Sequence, residues 1–179
     1  KSIPQYNNHR EKNGYPRNWS NVRTIKREKK TDPLVSIAIS TYEANGNGVQ
    51  LLSKAMNSIN NQLYNNIEIV ISDHSSDNKI KMFLKKFKKK YTVRYYHNPD
   101  MKGSSSHNTN NAINNCKGEY IKILFMDDYL YNSKAISSIV EHFNKYPSKK
   151  WLVNSYEHTK DYKTYFPVLL MNMKLYFEY

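Results

Sequence analysis

Short apolar runs alternating with helix-periodic stretches constrain this chain more than any other feature of its sequence. LVSIAIS (34–40), IEIVISD (67–73), YTVRYYH (91–97) and YIKILFM (120–126) are rich in β-branched and aromatic residues, and KWLVNSY (150–156) offers a fifth run. Nearly continuous apolar runs of this length suit strands covered on both faces, as in parallel sheets. Between them, residues 49–61 put Leu51, Leu52, Ala55, Met56 and Ile59 on one stripe. Residues 77–90 do the same with Ile80, Phe83, Leu84 and Phe87. Residues 104–116 read as a polar helix, and residues 133–146 carry Ile136, Ile139, Val140 and Phe143 at helical spacing. That alternation implies βαβ units and an α/β fold, with a mostly parallel central sheet flanked by helices.

Ligands of such sheets bind beyond the carboxyl ends of the strands, so the residues just after each run carry the chemical information. Asp127 and Asp128 follow the fourth run. Adjacent carboxylates repel unless they share a cation, and a hard divalent ion with oxygen ligands, Mn²⁺ or Mg²⁺, is their natural companion. An acidic turn leading into the next helix is the other reading of the pair. Asp73 closes the second run and can accept a hydrogen bond from the N–H of a nucleobase. Asp77 stands where it can cap the following helix, Ser75 and Ser76 suit a turn, and His74 reads as a loop residue. Tyr42, after the first run, can stack on a base, with Glu43 beside it in a loop made pliable by Gly46 and Gly48. No phosphate-loop lysine motif and no G-x-G-x-x-G are present, which weighs against ATPase and dinucleotide-binding readings. The histidines at 97, 107, 142 and 158 show no metal-ligand spacing.

Charge adds a second theme. The net charge is +13, and it is concentrated: residues 1–31 hold nine Lys/Arg against two Glu, and residues 79–94 hold eight Lys/Arg and no acid. Such patches suggest an anionic partner, whether nucleic acid, an acidic membrane surface or a phosphorylated substrate, or else the solvated face of a helix. A basic nucleic-acid- or polyanion-binding module without transferase activity is therefore the rival functional class. Cys116 is the single cysteine, so a disulfide framework is excluded and a reducing, cytoplasmic compartment is expected. No run approaches the roughly 18 apolar residues of a membrane span, which leaves peripheral contact with an anionic membrane as the expected mode of any membrane association.

Three segments together resemble family 2 of the GT-A glycosyltransferases: PLVSIAISTYE, NIEIVISDHSSD, and KGSSSHNTNNAINNCKGEYIKILFMDDYLYNSKAI, in that order over residues 33–136. The resemblance implies a Rossmann-like nucleotide-sugar-binding domain over residues 33–156. A basic extension (1–32) precedes it, and a short C-terminal segment (157–179) reads as a truncated acceptor region. It implies that Thr41, Tyr42 and Glu43 hold the nucleoside, that Asp73 pairs with the base, and that Gly103 and Asn110 belong to the donor site. Asp127 would lie near ribose and diphosphate, and Asp128 would ligate the metal with it. The implied reaction is transfer of a sugar from a UDP-sugar to an acceptor hydroxyl with inversion. Phe125 stands where many members carry a further acid, and Thr109 where many carry arginine. The chain ends 51 residues after Asp128, and the family's general base lies beyond that point. Neither Glu157 nor Asp161 fits that role, so no catalytic residue is assigned and donor binding without efficient turnover is expected. The apolar C-terminal stretch leaves open burial against a second copy of the chain.

Overall fold

The computed structural model describes residues 32–43, 46–154 and 156–159, and the backbone of residues 165–167. Residues 1–31 of the basic extension, Asp161 and the apolar C-terminal stretch lie outside the described residues. Among the described residues, those up to Pro147 form one compact unit and those from Ser148 onward belong to a second.

The first unit is built on four parallel strands: β1 (Val35–Thr41), β2 (Ile67–Asp73), β3 (Thr92–His97) and β4 (Tyr120–Ile123), in the order β3-β2-β1-β4. β1 and β2 are buried almost throughout, as their unbroken β-branched sequences require. Register sets Thr41, Asp73 and His97 side by side at the carboxyl edge. The helices are α1 (Gly48–Asn60), α2 (Lys79–Lys86), α3 (Ser105–Asn114) and α4 (Ala135–Lys145). Right-handed crossovers put α1 and α2 on one face, because β1, β2 and β3 step in one direction. The return from β3 to β4 carries α3 across the other face. There it bonds to β1 and β2: Thr109 Oγ1 donates to Ser40 Oγ (3.1 Å) and Asn111 Nδ2 to Ser72 Oγ (2.8 Å). A polar helix is what a serine-bearing sheet face calls for.

Leu52, Ala55, Met56 and Ile59 seat α1, and Ile136, Ile139, Val140 and Phe143 seat α4, whose Phe143 ring stacks on Tyr120 at 4.7 Å. Gln62, buried after α1, joins the two helices: its Nε2 donates to Asn132 O (2.8 Å) and its Oε1 accepts from Ile136 N (3.2 Å). At the amino edge, Glu68 accepts from Ser36 Oγ (2.5 Å), Lys117 N (2.7 Å) and Arg94 Nη2 (2.9 Å). Burial alone would raise its pKa, but those three donors outweigh burial and hold the carboxyl below the usual range. Gly118 leaves no room for a side chain there: a Cβ would stand 2.6 Å from Ser36 N and 2.7 Å from Leu34 O.

The structure departs from the sequence reading in three places. Residues 150–154 form no strand; Trp151 and Val153 are 59% and 54% exposed, so nothing buries the run that would drive pairing. A short antiparallel pair, β5 (Glu157–Thr159) and β6 (Tyr165–Pro167), follows instead. β4 ends at Ile123, where Leu124 N still donates to Ala38 O (3.0 Å) before a turn closed by Asp128 N and Phe125 O takes over. α2 stops at Lys86 rather than Lys90, because the Asn60 amide holds the backbone of Lys88 and Lys90 (2.8 and 3.2 Å) in place of helical bonds. Among the described residues no helix is long and apolar enough to cross a membrane.

Candidate active site

A cleft of about 190 Å³ opens at the carboxyl ends of the strands. Ser40, Thr41 and Tyr42 form its wall from β1, and His74 comes from β2. Gly103, Ser105 and Asn108 come from the start of α3, and Phe125, Met126 and Asp127 from the turn after β4. This is the crevice that the strand order predicts, where β1 has neighbours reached by crossovers in opposite directions.

Thr41 and the Tyr42 backbone are fixed from several sides. Thr41 O accepts from Asn108 Nδ2 and from His74 N, both at 3.0 Å, and Tyr42 N lies 3.4 Å from Met126 Sδ. The Tyr42 ring stays at the mouth, 37% exposed, with Lys102 Nζ 5.9 Å from its centroid. Lys102 also reaches Ser76 Oγ. Gly103 turns the chain into α3 at φ +89°, a conformation that favours glycine.

Four expected site residues, Glu43, Asp73, Asn110 and Asp128, are not on the cleft wall. Asp73 is fully buried; its Oδ1 accepts from Ser75 N (2.9 Å) and Ser75 Oγ (2.5 Å), and its Oδ2 from Tyr95 Oη (2.7 Å). Burial, with Asp73 next, pushes the Tyr95 phenol well above its ordinary value. Glu43 turns to the start of α1, where Oε2 accepts from Val49 N (2.8 Å), an anion at a helix N-terminus. Its own N–H donates to Ser75 Oγ (2.8 Å), so Ser75 ties the β1 loop to Asp73 rather than merely turning the chain. Asn110 is exposed on α3. The N-cap of α2 is Asn78 rather than Asp77; Asp77, one residue earlier, accepts from Lys79 N (3.1 Å) and pairs with Lys79 Nζ.

Two residues that the sequence reading passed over take part instead. His74 lines the cleft while only 2% exposed, and Asn98 Nδ2 donates to its Nε2 (3.0 Å). Burial, then the neighbouring His107 ring 6.2 Å away, depress its pKa. Asn108, 3% exposed, joins all three elements: Oδ1 accepts from Ser72 Oγ (2.6 Å) while Nδ2 serves Thr41.

Asp127 and Asp128 are both exposed in the tight turn after β4, and Asp127 is on the cleft wall. Lys122 lies upstream on β4; burial lowers its pKa, and Asp128 opposes that effect. Among the described residues no three His, Cys, Asp or Glu side chains gather as a closed metal cage. Asp127 on the cleft wall, with the exposed Asp128 next to it in the chain, fits a hard cation whose remaining ligands would come from phosphates and water.

A parallel sheet with an acid-bearing cleft at its switch point defines a doubly wound α/β protein. Residues 36–179 match glycosyl transferase family 2, and the chain belongs to that family. A *Campylobacter jejuni* GalNAc(5)-diNAcBac-PP-undecaprenol beta-1,3-glucosyltransferase is 31% identical over 114 residues, covering 63% of this chain and 35% of that protein. An uncharacterized glycosyltransferase of *Rickettsia felis* is 36% identical over 123 residues, 68% of this chain and 19% of the relative. The chain thus spans about a third or less of these relatives. Among solved structures, S. aureus TarS 1–349 in complex with UDP-GlcNAc superposes with a TM-score of 0.54 at 19% identity, over 63% of this chain and 31% of that one. The mannosyltransferase PcManGT of Pyrobaculum calidifontis, in complex with GDP-Man and Mn²⁺, gives 0.53 at 19%, over 65% and 34%. The expected GT-A-type α/β fold is borne out.

Proposed function

We propose that the cleft binds a UDP-sugar and that the protein transfers the sugar to an acceptor hydroxyl with inversion. The observation that carries this reading is the meeting, at the carboxyl ends of adjacent parallel strands, of a cleft with an exposed pair of carboxylates. Thr41, Tyr42, His74 and Gly103 surround the nucleoside, with the Tyr42 ring free to stack on the base. Asp73, Glu43 and Ser75 hold that wall in shape from behind. The diphosphate runs toward Asp127. Mn²⁺ or Mg²⁺, held by Asp128 and Asp127, would supply Lewis-acid neutralisation of the departing diphosphate.

Uridine is chosen because TarS, a structural neighbour, holds UDP and UDP-GlcNAc; the GDP-Man of PcManGT makes guanosine the competitor to test. None of the described carboxylates is assigned as general base. A lipid-linked glycan, the kind of acceptor named for the *C. jejuni* relative, would bring the protein to a membrane surface as a peripheral enzyme.

Calorimetry with UDP, with and without Mn²⁺, tests the reading. Mn²⁺ is expected to strengthen UDP binding in the wild type, and Asp128→Asn to remove most of that gain. Unchanged Mn²⁺-dependent affinity in the variant, or tighter binding of GDP than of UDP, overturns the corresponding assignment.

A further inference from the structure

The basic segment that the cleft does not use has a definite shape. Ile80 and Leu84 are the buried residues of α2, and they fix which side of the helix faces outward. At about 100° per residue, the position opposite them is Met82, which is 46% exposed. Lys81, Lys85 and Lys86 surround Met82 on the same exposed face, and the extended backbone after Phe87 adds Lys88 and Lys89. These five lysines make no ion pair among the described residues; Lys79 is neutralised by Asp77, and Lys90 donates to Gln62 O (2.6 Å). Helix α1, which packs beside α2 on this side of the sheet, contains no acid. From Gly48 to Lys90 the acids are Glu68 and Asp73, both buried, and Asp77. None of the five lysines lines the cleft.

We infer that the α2 face, Met82 ringed by Lys81, Lys85, Lys86, Lys88 and Lys89, is a docking surface for an anionic phospholipid membrane. Charge complementarity carries the choice of partner. A run of unpaired lysines with no facing acid is attracted to a negative surface, and each lysine adds to that attraction. The apolar residue at the outermost point favours lipid over nucleic acid. A thioether exposed among the ammonium groups gains from the acyl boundary and nothing from a phosphate backbone. No exposed aromatic ring stands on this helix to stack on bases: Phe83 and Phe87 are half-buried and tilted against each other at 5.2 Å. Lysine stems can lie along the surface while their heads meet lipid phosphates.

The test uses the full chain and vesicles of phosphatidylcholine alone or mixed with phosphatidylglycerol, read by co-sedimentation. Binding to the mixed vesicles only, with release at high salt, is expected. K81Q/K85Q/K86Q should lower the partition coefficient at least about tenfold, whereas K134Q/K145Q/K149Q, which removes equal charge elsewhere, should leave it near wild type. Met82→Ser should weaken binding with the lysines intact. Equal weakening by the two triple variants, or no binding to anionic vesicles, overturns the inference. So does binding of a single-stranded oligonucleotide that depends on the same lysines and displaces the protein from vesicles. UDP affinity, measured on each variant, should match wild type; it reports folding and keeps a failure here separate from a failure of the donor assignment.

Discussion

Asn108→Ala should be among the most damaging single changes at the cleft, and the structure sets its size. The amide makes two bonds in a fully enclosed position: Oδ1 accepts from Ser72 Oγ at 2.6 Å and Nδ2 donates to Thr41 O at 3.0 Å. The two losses are unequal. Thr41 O keeps the His74 amide, so it forfeits about 0.5–1.5 kcal/mol of net hydrogen-bond energy. Ser72 is fully buried, and its hydroxyl proton loses its acceptor, at about 1–3 kcal/mol for an orphaned donor. The expected sum is about 1.5–4.5 kcal/mol, a large part of the roughly 5–15 kcal/mol that holds an ordinary domain folded. Urea unfolding followed by circular dichroism measures it. Removing Ser72 first abolishes the orphan, so in Ser72→Ala the second substitution should cost about 1–2 kcal/mol less than it does alone. Asn108→Asp should be no better than alanine, since it keeps an acceptor for Ser72 but sets a carboxylate oxygen against Thr41 O. A cost below about 1 kcal/mol for Asn108→Ala, or strict additivity with Ser72→Ala, refutes the reasoning.

Gly118→Ala should destabilise by about 1–3 kcal/mol, because the new methyl meets backbone atoms of the central strand at 2.6–2.7 Å; a wild-type urea midpoint would contradict that packing. A pH effect follows from His74, whose folded pKa is depressed by burial and by His107. Below about pH 6.5 the unfolded chain takes up a proton that the folded chain refuses. Stability contributed by this residue is therefore complete above that pH and falls as pH decreases toward the folded value, at no more than about 1.4 kcal/mol per pH unit. Unfolding between neutrality and mild acid should show a shallower slope in His74→Gln; identical slopes would remove His74 from the account, and Glu68, held below the usual carboxylate range, titrates lower.

How far the fold could be read from the sequence depended on how completely each element is buried. IEIVISD is a strand over its full length because both its faces are covered, and a segment with no solvent face carries an unambiguous pattern. α4 was equally legible from four apolar positions at helical spacing. KWLVNSY has the same composition as a strand, but composition cannot supply a partner, and its Trp and Val side chains stay in water. The early end of α2 was invisible for a different reason. It depends on Asn60, about thirty residues upstream, offering amide bonds to Lys88 and Lys90 that compete with helix.

The site separates two kinds of information. Distance from a strand end fixes the level of a residue along the sheet, and at that level the reading located Thr41, Tyr42, Gly103 and Asp127, all on the cleft wall. Which way a side chain turns is a matter of phase. Asp73 continues the alternation of Ile69 and Ile71, so it turns to the face where the Tyr95 hydroxyl receives it, and His74, one step further, reaches the cleft. On α3 the buried stripe is Asn108 and Ala112, four residues apart. Asn110 lies about 200° around the helix from both, and its neighbour two positions earlier does the bridging. Both displacements follow from periods of two and 3.6 that are present in the sequence. On α3, a chemically attractive side chain at the right level therefore lines the cleft only when the buried residues of the helix put it in phase with the cleft.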